Sequence, residues 1–564
     1  MKFKNPTSFI FFYLTLLSCL FPLSSSQSEN RTSISGGNWH LLHPSIGISA
    51  MHMQLLHNDK VIIFDGLEVG PSNISLPSNN CHRVFVNNTF TVDCTAHSVL
   101  YDVVSGSIRP LTLRTNTWCS SGHVNPNGTL VQTGGYGDGI RKIRTFSPCQ
   151  TDLCDWTELP LNLTDRRWYA SNQILPDGRV IVVGGRLSFS YEFFPKNSGN
   201  DLSFRSYFLR FLVETMDPYE ENNLYPFLHL LPDGNLFIFA NNRSISLDYN
   251  LHRTVKEFPV IPGGFKRSYP STGSSVLLPL RLKPSFFQTI LPEAEVMICG
   301  GAPPGAYNMS NKARVFVSAA RTCGRLRVTD PNPEWVMEEM PMPRVMSDML
   351  ILPNGDVIII NGASNGTAGW NDAVNPVRNP VLYRTYKPLG QRFVVLNPST
   401  VPRMYHSSAV LLPNGQILVG GSNPHRVYNF TADPYPTDLS LEVYQPYYLD
   451  QQNSNMRPSI LTVETMMQMV SYGQIFSITF VLPLYRPSPG VSVTLLAPSF
   501  STHSFAMNQR LLVLNVTRFE RLSIFAYKVT IQGPPTTTVA PPGYYLLFVV
   551  HSGIPSEGVW VKVQ

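Results

Sequence analysis

Charge is scarce in this 564-residue chain, with only 14% of its residues Asp, Glu, Lys or Arg. The 43 Lys and Arg exceed the 37 Asp and Glu by six, and no basic cluster gathers that excess. Nucleic acid, which needs a concentrated basic face, is therefore not an expected partner. Long helical periodicities are also scarce, which argues against bundles and doubly wound α/β folds. Beyond the N-terminus no apolar run is long enough to cross a bilayer, and Gly558–Gln564 is no hydrophobic tail. The sequence has no P-loop, no HExxH and no G-x-S-x-G elbow, so phosphate-cradle, zinc-protease and serine-hydrolase chemistry have no motif to rest on.

What is present is β-structure. Apolar residues make up 43%, and 47 prolines and 38 glycines break the chain into short Val/Ile/Leu/Phe runs. That pattern reads as an all-β protein large enough for two or more domains. At the N-terminus Lys2 and Lys4 precede the apolar run Phe9–Phe21 and then Pro22-Leu23-Ser24-Ser25-Ser26. This reads as a cleaved signal peptide over residues 1–26, with a retained anchor as the alternative. Sequons at Asn30, Asn73, Asn87, Asn127, Asn162, Asn242, Asn308, Asn365, Asn429 and Asn515 fit a secreted, extracellular glycoprotein. Eight cysteines are present, and Cys19 lies in the expected signal. Proximity suggests pairs Cys81–Cys94, Cys149–Cys154 and Cys299–Cys323, although spacing alone leaves the other pairings open. Cys119 is then the odd one, for which a plain buried thiol is the bland explanation.

One hairpin recurs along the chain. It reads 123-HVNPNGTLVQTGG-135, 168-WYASNQILPDGRVIVVGG-185, 225-YPFLHLLPDGNLFIFA-240, 345-VMSDMLILPNGDVIIING-362 and 403-RMYHSSAVLLPNGQILVGG-421. Weaker copies begin at Met51 and Ser274, the second interrupted by an insertion. The spacing, roughly 50–60 residues, is that of kelch-type blades. Seven copies predict a seven-bladed β-propeller over residues 27–440.

Blades are related by rotation, so equivalent positions converge on the axis. Seven residues before each turn proline stand Cys119, Tyr169, Tyr225, Met346 and His406, with Tyr405 beside the last. If the following run is the innermost strand, these side chains meet at one mouth of the central channel. Aromatics that merely plug the channel are the simpler explanation, favoured for Tyr225 but not for Cys119, Tyr169 and His406 together. After Pro424 the repeat stops. Short alternating strands over 441–564 predict an immunoglobulin-like β-sandwich. Within it His503 sits in a polar Thr-His-Ser loop context, where on its own it reads as a surface histidine.

Together these pieces resemble the copper radical oxidases, the family of galactose oxidase and glyoxal oxidase, and in particular the plant glyoxal-oxidase-like aldehyde oxidases. The resemblance spans the mature chain and rests on Trp118-Cys119 with Asn127-Gly128, Arg167-Trp168-Tyr169, Arg403-Met404-Tyr405-His406, and Thr502-His503 with Gln509-Arg510. It implies a mononuclear Cu(II) held by Tyr169, Tyr405, His406 and His503, with His503 reaching into the channel from the second domain. It also implies a thioether between Cys119 and the Tyr169 ring that carries a radical, with Tyr405 as general base. The implied reaction converts small aldehydes of the glyoxal or methylglyoxal type, as hydrates, to carboxylic acids while O2 becomes H2O2.

In the galactose-oxidising branch a tryptophan follows the Gly-Gly of the blade bearing the cross-linked tyrosine and covers the thioether. Here Gly184-Gly185 is followed by Arg186-Leu187, which counts against galactose. The competing readings are a primary-alcohol or galactose-type oxidase of the same class, and a non-catalytic kelch propeller binding cell-wall glycans or proteins. A monomeric glycoprotein is expected, in the apoplast or cell wall if the source is a plant.

Overall fold

The turn sequence explains the blades. In Pro-Asn-Gly and Pro-Asp-Gly the middle side chain accepts the backbone N–H two residues on, as in Arg179 N to Asp177 Oδ1 at 3.0 Å and Gln416 N to Asn414 Oδ1 at 3.0 Å. The glycine that follows takes φ of 82° in Gly178 and 88° in Gly415, a region closed to most side chains. Each hairpin is thus fixed locally before any packing occurs.

The computed structural model describes residues 35–77, 80–86, 89–149, 153–196, 205–283 and 291–564. The expected signal peptide over 1–26 lies outside the described residues. Seven antiparallel sheets follow one another, six of four strands and the first of six because two strands from the second domain join its inner edge. Their innermost blade strands are His52–Leu55, Ser121–Val124, Ala170–Ile174, Phe227–Leu230, Gly273–Leu277, Asp348–Ile351 and Ser407–Leu411. Neighbouring inner strands touch in order from Ser121–Val124 round to Ser407–Leu411 and His52–Leu55, and Phe500–Thr502 bridges the last step between His52–Leu55 and Ser121–Val124, so the sheets form a seven-bladed propeller. The seventh blade takes its outer strand from the other end of the chain: Asn38–His43 pairs antiparallel with Leu441–Gln445. The sequence pattern, which ends with Pro424, did not reveal this closure.

Buried arginines fasten the blades. The Arg167 guanidinium donates to the carbonyl of Gly184 at 2.7 Å and to that of Ser190 at 2.9 Å, and it pairs with Glu192 at 2.9 Å. In the seventh blade Arg403 donates to the carbonyl of Gly421 at 2.6 Å and pairs with Glu442 at 2.7 Å. Arg267 does the same at the Gly300 carbonyl. Glycine is needed here: a Cβ on Gly134, at φ 76°, would lie 2.0 Å from the Arg167 carbonyl oxygen.

After the propeller come two stacked β-sheets. One is ordered Ser459–Val463, Ile475–Val481, Ala526–Gln532, Asn515–Arg521; the other is built on Arg510–Val513, Val491–Ala497, Gly543–His551 and Val559–Val563. Alternating burial along Ile475–Val481 places its even-numbered positions in the core. Between Arg510–Val513 and Asn515–Arg521 the chain crosses at Leu514 from one sheet to the other. The propeller contributes Leu280–Arg281, which pairs in parallel with Leu512–Val513. All three expected disulfides are present, and Cys119 is the free, buried cysteine among the described residues. Among the described residues no helix is long and apolar enough to cross a membrane.

Candidate metal centre

The aligned position of the repeat has a backbone signature. Cys119, Tyr169, Tyr225, Met346 and His406 all lie in the left-handed region, at φ 54°, 65°, 46°, 59° and 59°. A residue there turns the chain sharply into the inner strand and aims its side chain across the channel rather than along the blade. The positions are also chained to one another, since Tyr169 N donates to the Cys119 carbonyl at 3.0 Å and Tyr225 N to the Tyr169 carbonyl at 2.9 Å. Tyr405 and His406 immediately precede Ser407–Leu411, so they escape the alternation of a regular strand and stack with ring centres 3.8 Å apart.

His503 arrives from the second domain. Strand Phe500–Thr502 pairs antiparallel with the inner strand of blade one, with Thr502 opposite His52, and folds back as Phe505–Met507. The hairpin thus enters the central channel with His503, at φ 43°, on its tip. Blade groups clamp its base: Asn508 Oδ1 accepts Ile174 N at 2.7 Å, and Gln509 accepts Ile351 N at 3.1 Å while donating to the Met349 carbonyl at 2.7 Å. These bonds give the Asn508-Gln509 sequence its purpose.

All five residues singled out in the sequence meet there. His503 Nε2 lies 3.2 Å from Cys119 Sγ, and donor atoms of Cys119, His406 and His503 fall within 4.8 Å of one another. The Cys119 thiol also lies beside the Tyr169 side chain. Tyr225, also at the aligned position, packs: it stacks on His503 at 4.9 Å and donates to the Ser120 carbonyl at 3.0 Å. Tyr269 was not anticipated. Its hydroxyl lies 2.7 Å from that of Tyr405 and 3.3 Å from that of Tyr169, and its ring stacks on Tyr169 at 4.6 Å. The residue falls five positions before Ser274, where the interrupted copy begins, so the repeat gave no signal for it.

Burial sets the electrostatics. It drives His406 and His503 well below the usual imidazole range, and each is held down further by a neighbouring histidine, His52 in the first case and His406 in the second. Both rings are therefore neutral, with lone pairs free for a cation. Burial also pushes the Cys119 thiol and the Tyr169 and Tyr405 phenols well above their ordinary values. Neither ring nitrogen of His406 has a hydrogen-bond partner, although the side chain is buried. His503 Nδ1 is engaged by Thr502 Oγ1 at 2.7 Å, which leaves Nε2 facing the centre. Orphaned imidazole nitrogens beside buried phenols are a donor set that suits a cupric ion.

Comparison with known proteins agrees with this construction. Residues 51–448 match the model for the glyoxal oxidase N-terminus, and residues 457–563 match the galactose oxidase-like early set domain. Aldehyde oxidase GLOX1 of Arabidopsis thaliana is 46% identical over 532 residues, covering 93% of this chain and 84% of the relative. Aldehyde oxidase GLOX of Vitis pseudoreticulata is 43% identical over 529 residues, covering 93% and 97%. The fold is shared with a solved fungal alcohol oxidase of the AA5 family in complex with copper, at a TM-score of 0.70 and 17% identity over 94% of this chain and 100% of that one. With propeller, inserted hairpin and channel cluster all in place, the chain belongs to the glyoxal oxidase family.

Proposed function

We propose that this protein is a secreted copper radical oxidase that converts small aldehydes, as their hydrates, to carboxylic acids and reduces O2 to H2O2. Family membership makes it an aldehyde oxidase. The observation that carries the site is the convergence of orphaned His406 and tip-borne His503 on Cys119, Tyr169 and Tyr405. His406, His503, Tyr169 and Tyr405 would hold the metal. When bound there, copper(II) supplies one oxidising equivalent and a position for the substrate oxygen.

The chain does the rest. Tyr405, which would give up its own proton where it holds the metal, is the base and takes the proton of one hydrate hydroxyl. Tyr169, joined through its ring carbon to Cys119 Sγ and already oxidised by one electron, takes the hydrogen atom from the carbon. The two hydrogens and two electrons removed from R–CH(OH)2 leave with O2 as H2O2, and R–COOH remains. Burial of the cluster keeps water from quenching the radical; Cys119 is 0% and Tyr405 4% exposed. The competing reading, favoured by the 3.2 Å approach of Cys119 Sγ to His503 Nε2, makes Cys119 a thiolate ligand beside the two histidines. The thioether reading predicts a mass about 2 Da below that of the unmodified chain, from loss of the thiol hydrogen and one ring hydrogen.

The Arg186-Leu187 sequence after Gly184-Gly185 supports aldehydes over galactose, because Leu187 is exposed and offers no ring where that branch has a tryptophan. The division expected at 440/441 is proposed instead to fall between Gln445 and Ser459, because Leu441–Gln445 pairs as a strand of the seventh blade. Three disulfides and exposed sequons at Asn73, Asn127, Asn162 and Asn429 support secretion as a glycoprotein, for which wall association and a monomeric state are proposed.

The test is peroxide release from copper-loaded, chemically pre-oxidised protein given methylglyoxal, glyoxal, a simple primary alcohol and galactose, with Cys119→Ser as control. Aldehyde-dependent peroxide that is lost in the control is expected. Peroxide chiefly from the alcohol or galactose would overturn the substrate class. Silence together with absent copper would return the chain to a binding propeller.

A further inference from the structure

The aromatic cover that the galactose branch takes from the residue after Gly-Gly is not supplied there in this chain. Arg186 instead lies over Trp168 at 5.2 Å and pairs with Glu221 at 2.9 Å, while Leu187 is 71% exposed. Tyr169 nevertheless has a stacked partner. The Tyr269 ring lies 4.6 Å from it with 28° between planes, and comes from blade five, two blades further round.

Tyr269 is also held firmly. Its backbone bridges that of Leu224, the neighbouring Pro270 carbonyl accepts Ala368 N at 2.9 Å, and the side chain is 8% exposed. Its hydroxyl is 2.7 Å from the Tyr405 hydroxyl and 3.3 Å from that of Tyr169. One side chain therefore touches both the ring expected to carry the radical and the phenol expected to take the proton.

We propose that Tyr269 is a positioning residue with two separable duties: its ring covers the Tyr169–Cys119 group and prolongs the radical, and its hydroxyl holds the Tyr405 phenol toward the substrate. The proposal rests on the copper radical reading above. Stacking accounts for the first duty, because an adjacent π face lowers the energy of an electron-poor ring. A short hydrogen bond from a pre-organised partner accounts for the second.

Three variants of the full-length, copper-loaded protein separate these duties. Tyr269→Phe keeps the ring and drops the hydroxyl, Tyr269→Leu drops both, and Tyr269→Trp restores a ring without the phenol. Each is oxidised with hexacyanoferrate(III), which removes one electron from Tyr169. The radical absorption and its decay without substrate are then followed, alongside kcat and KM for methylglyoxal.

Tyr269→Leu should shorten radical lifetime by about tenfold, with Phe and Trp within about threefold of wild type. Tyr269→Phe should lower kcat by roughly five- to tenfold with little change in KM. A Leu variant whose radical persists like wild type refutes the covering role. A Phe variant with full kcat refutes the role of the hydroxyl. A wild-type protein lacking both the thioether mass loss and the radical absorption overturns the radical reading itself, and this proposal with it. Because the mass loss and absorption are read on wild type first, that failure is distinguishable from the others.

Discussion

Replacing His406 with Phe should stabilise the metal-free protein while abolishing its response to copper. His406 is 3% exposed and neither ring nitrogen has a hydrogen-bond partner. A buried polar group left unsatisfied costs about 1–3 kcal/mol. Phenylalanine removes that penalty at similar volume, and Tyr169 and Tyr225 show that equivalent backbone positions at φ 65° and 46° accept an aromatic ring. Some of the gain is lost to crowding against Tyr405, whose ring centre is 3.8 Å away. The net expectation is a gain of about 1–2 kcal/mol in the metal-free state. For a cooperative unit the length of Ser35–Gln564, roughly 1 °C of melting temperature accompanies each kcal/mol. Copper at a hundred times its dissociation constant should add about 2.7 kcal/mol to wild type and nothing to the variant. Scanning calorimetry with and without copper should therefore show the two curves exchanging order. A metal-free variant that melts several degrees lower, or equal copper stabilisation of both proteins, would refute the assignment of His406 as a ligand held in reserve.

Cys119→Ser should keep the fold, lose the mass difference of about 2 Da expected of a thioether, and give little peroxide; intact mass spectrometry and a peroxide assay check both. Burial pushes the Asp348 carboxyl up to about 7. Because that value lies above the unfolded one of 3.8, the native state holds a proton the unfolded chain has released, and this group's contribution falls as pH rises from about 4 to about 7. Asp348→Asn should therefore gain stability on wild type across that window and keep a constant lead above it, by urea unfolding at pH 5, 7 and 8. Arg167→Ala should lose up to about 3 kcal/mol by removing the nearer of the two cations paired with buried Glu192 and leaving only Lys196 at 3.3 Å, lowering the urea midpoint.

Much of this was legible in the sequence for physical reasons. Pro-Asn-Gly and Pro-Asp-Gly encode turns locally, and repetition turns a local register into a shared axis. Cys119, Tyr169 and His406 could therefore be superposed on paper before they were seen to converge. His503 was marked by its odd context, but its place on a channel hairpin depends on pairing between Phe500–Thr502 and His52–Leu55, strands more than 400 residues apart, which no local pattern records. The same holds for Asn38–His43 in the seventh blade. Tyr269 lies in a non-repeating approach segment, and only the fold reveals its neighbours.

The seam between Asn38–His43 and Leu441–Gln445 governs the order of assembly. During synthesis the first strand has no partner until the last blade is made, so the ring cannot shut on a partial chain. The His503 hairpin follows later still and fills a channel that closure has just created. The reactive cluster is thus among the last parts to come together. A nascent or truncated chain without the hairpin lacks His503, and with it the full set of donors proposed to hold copper.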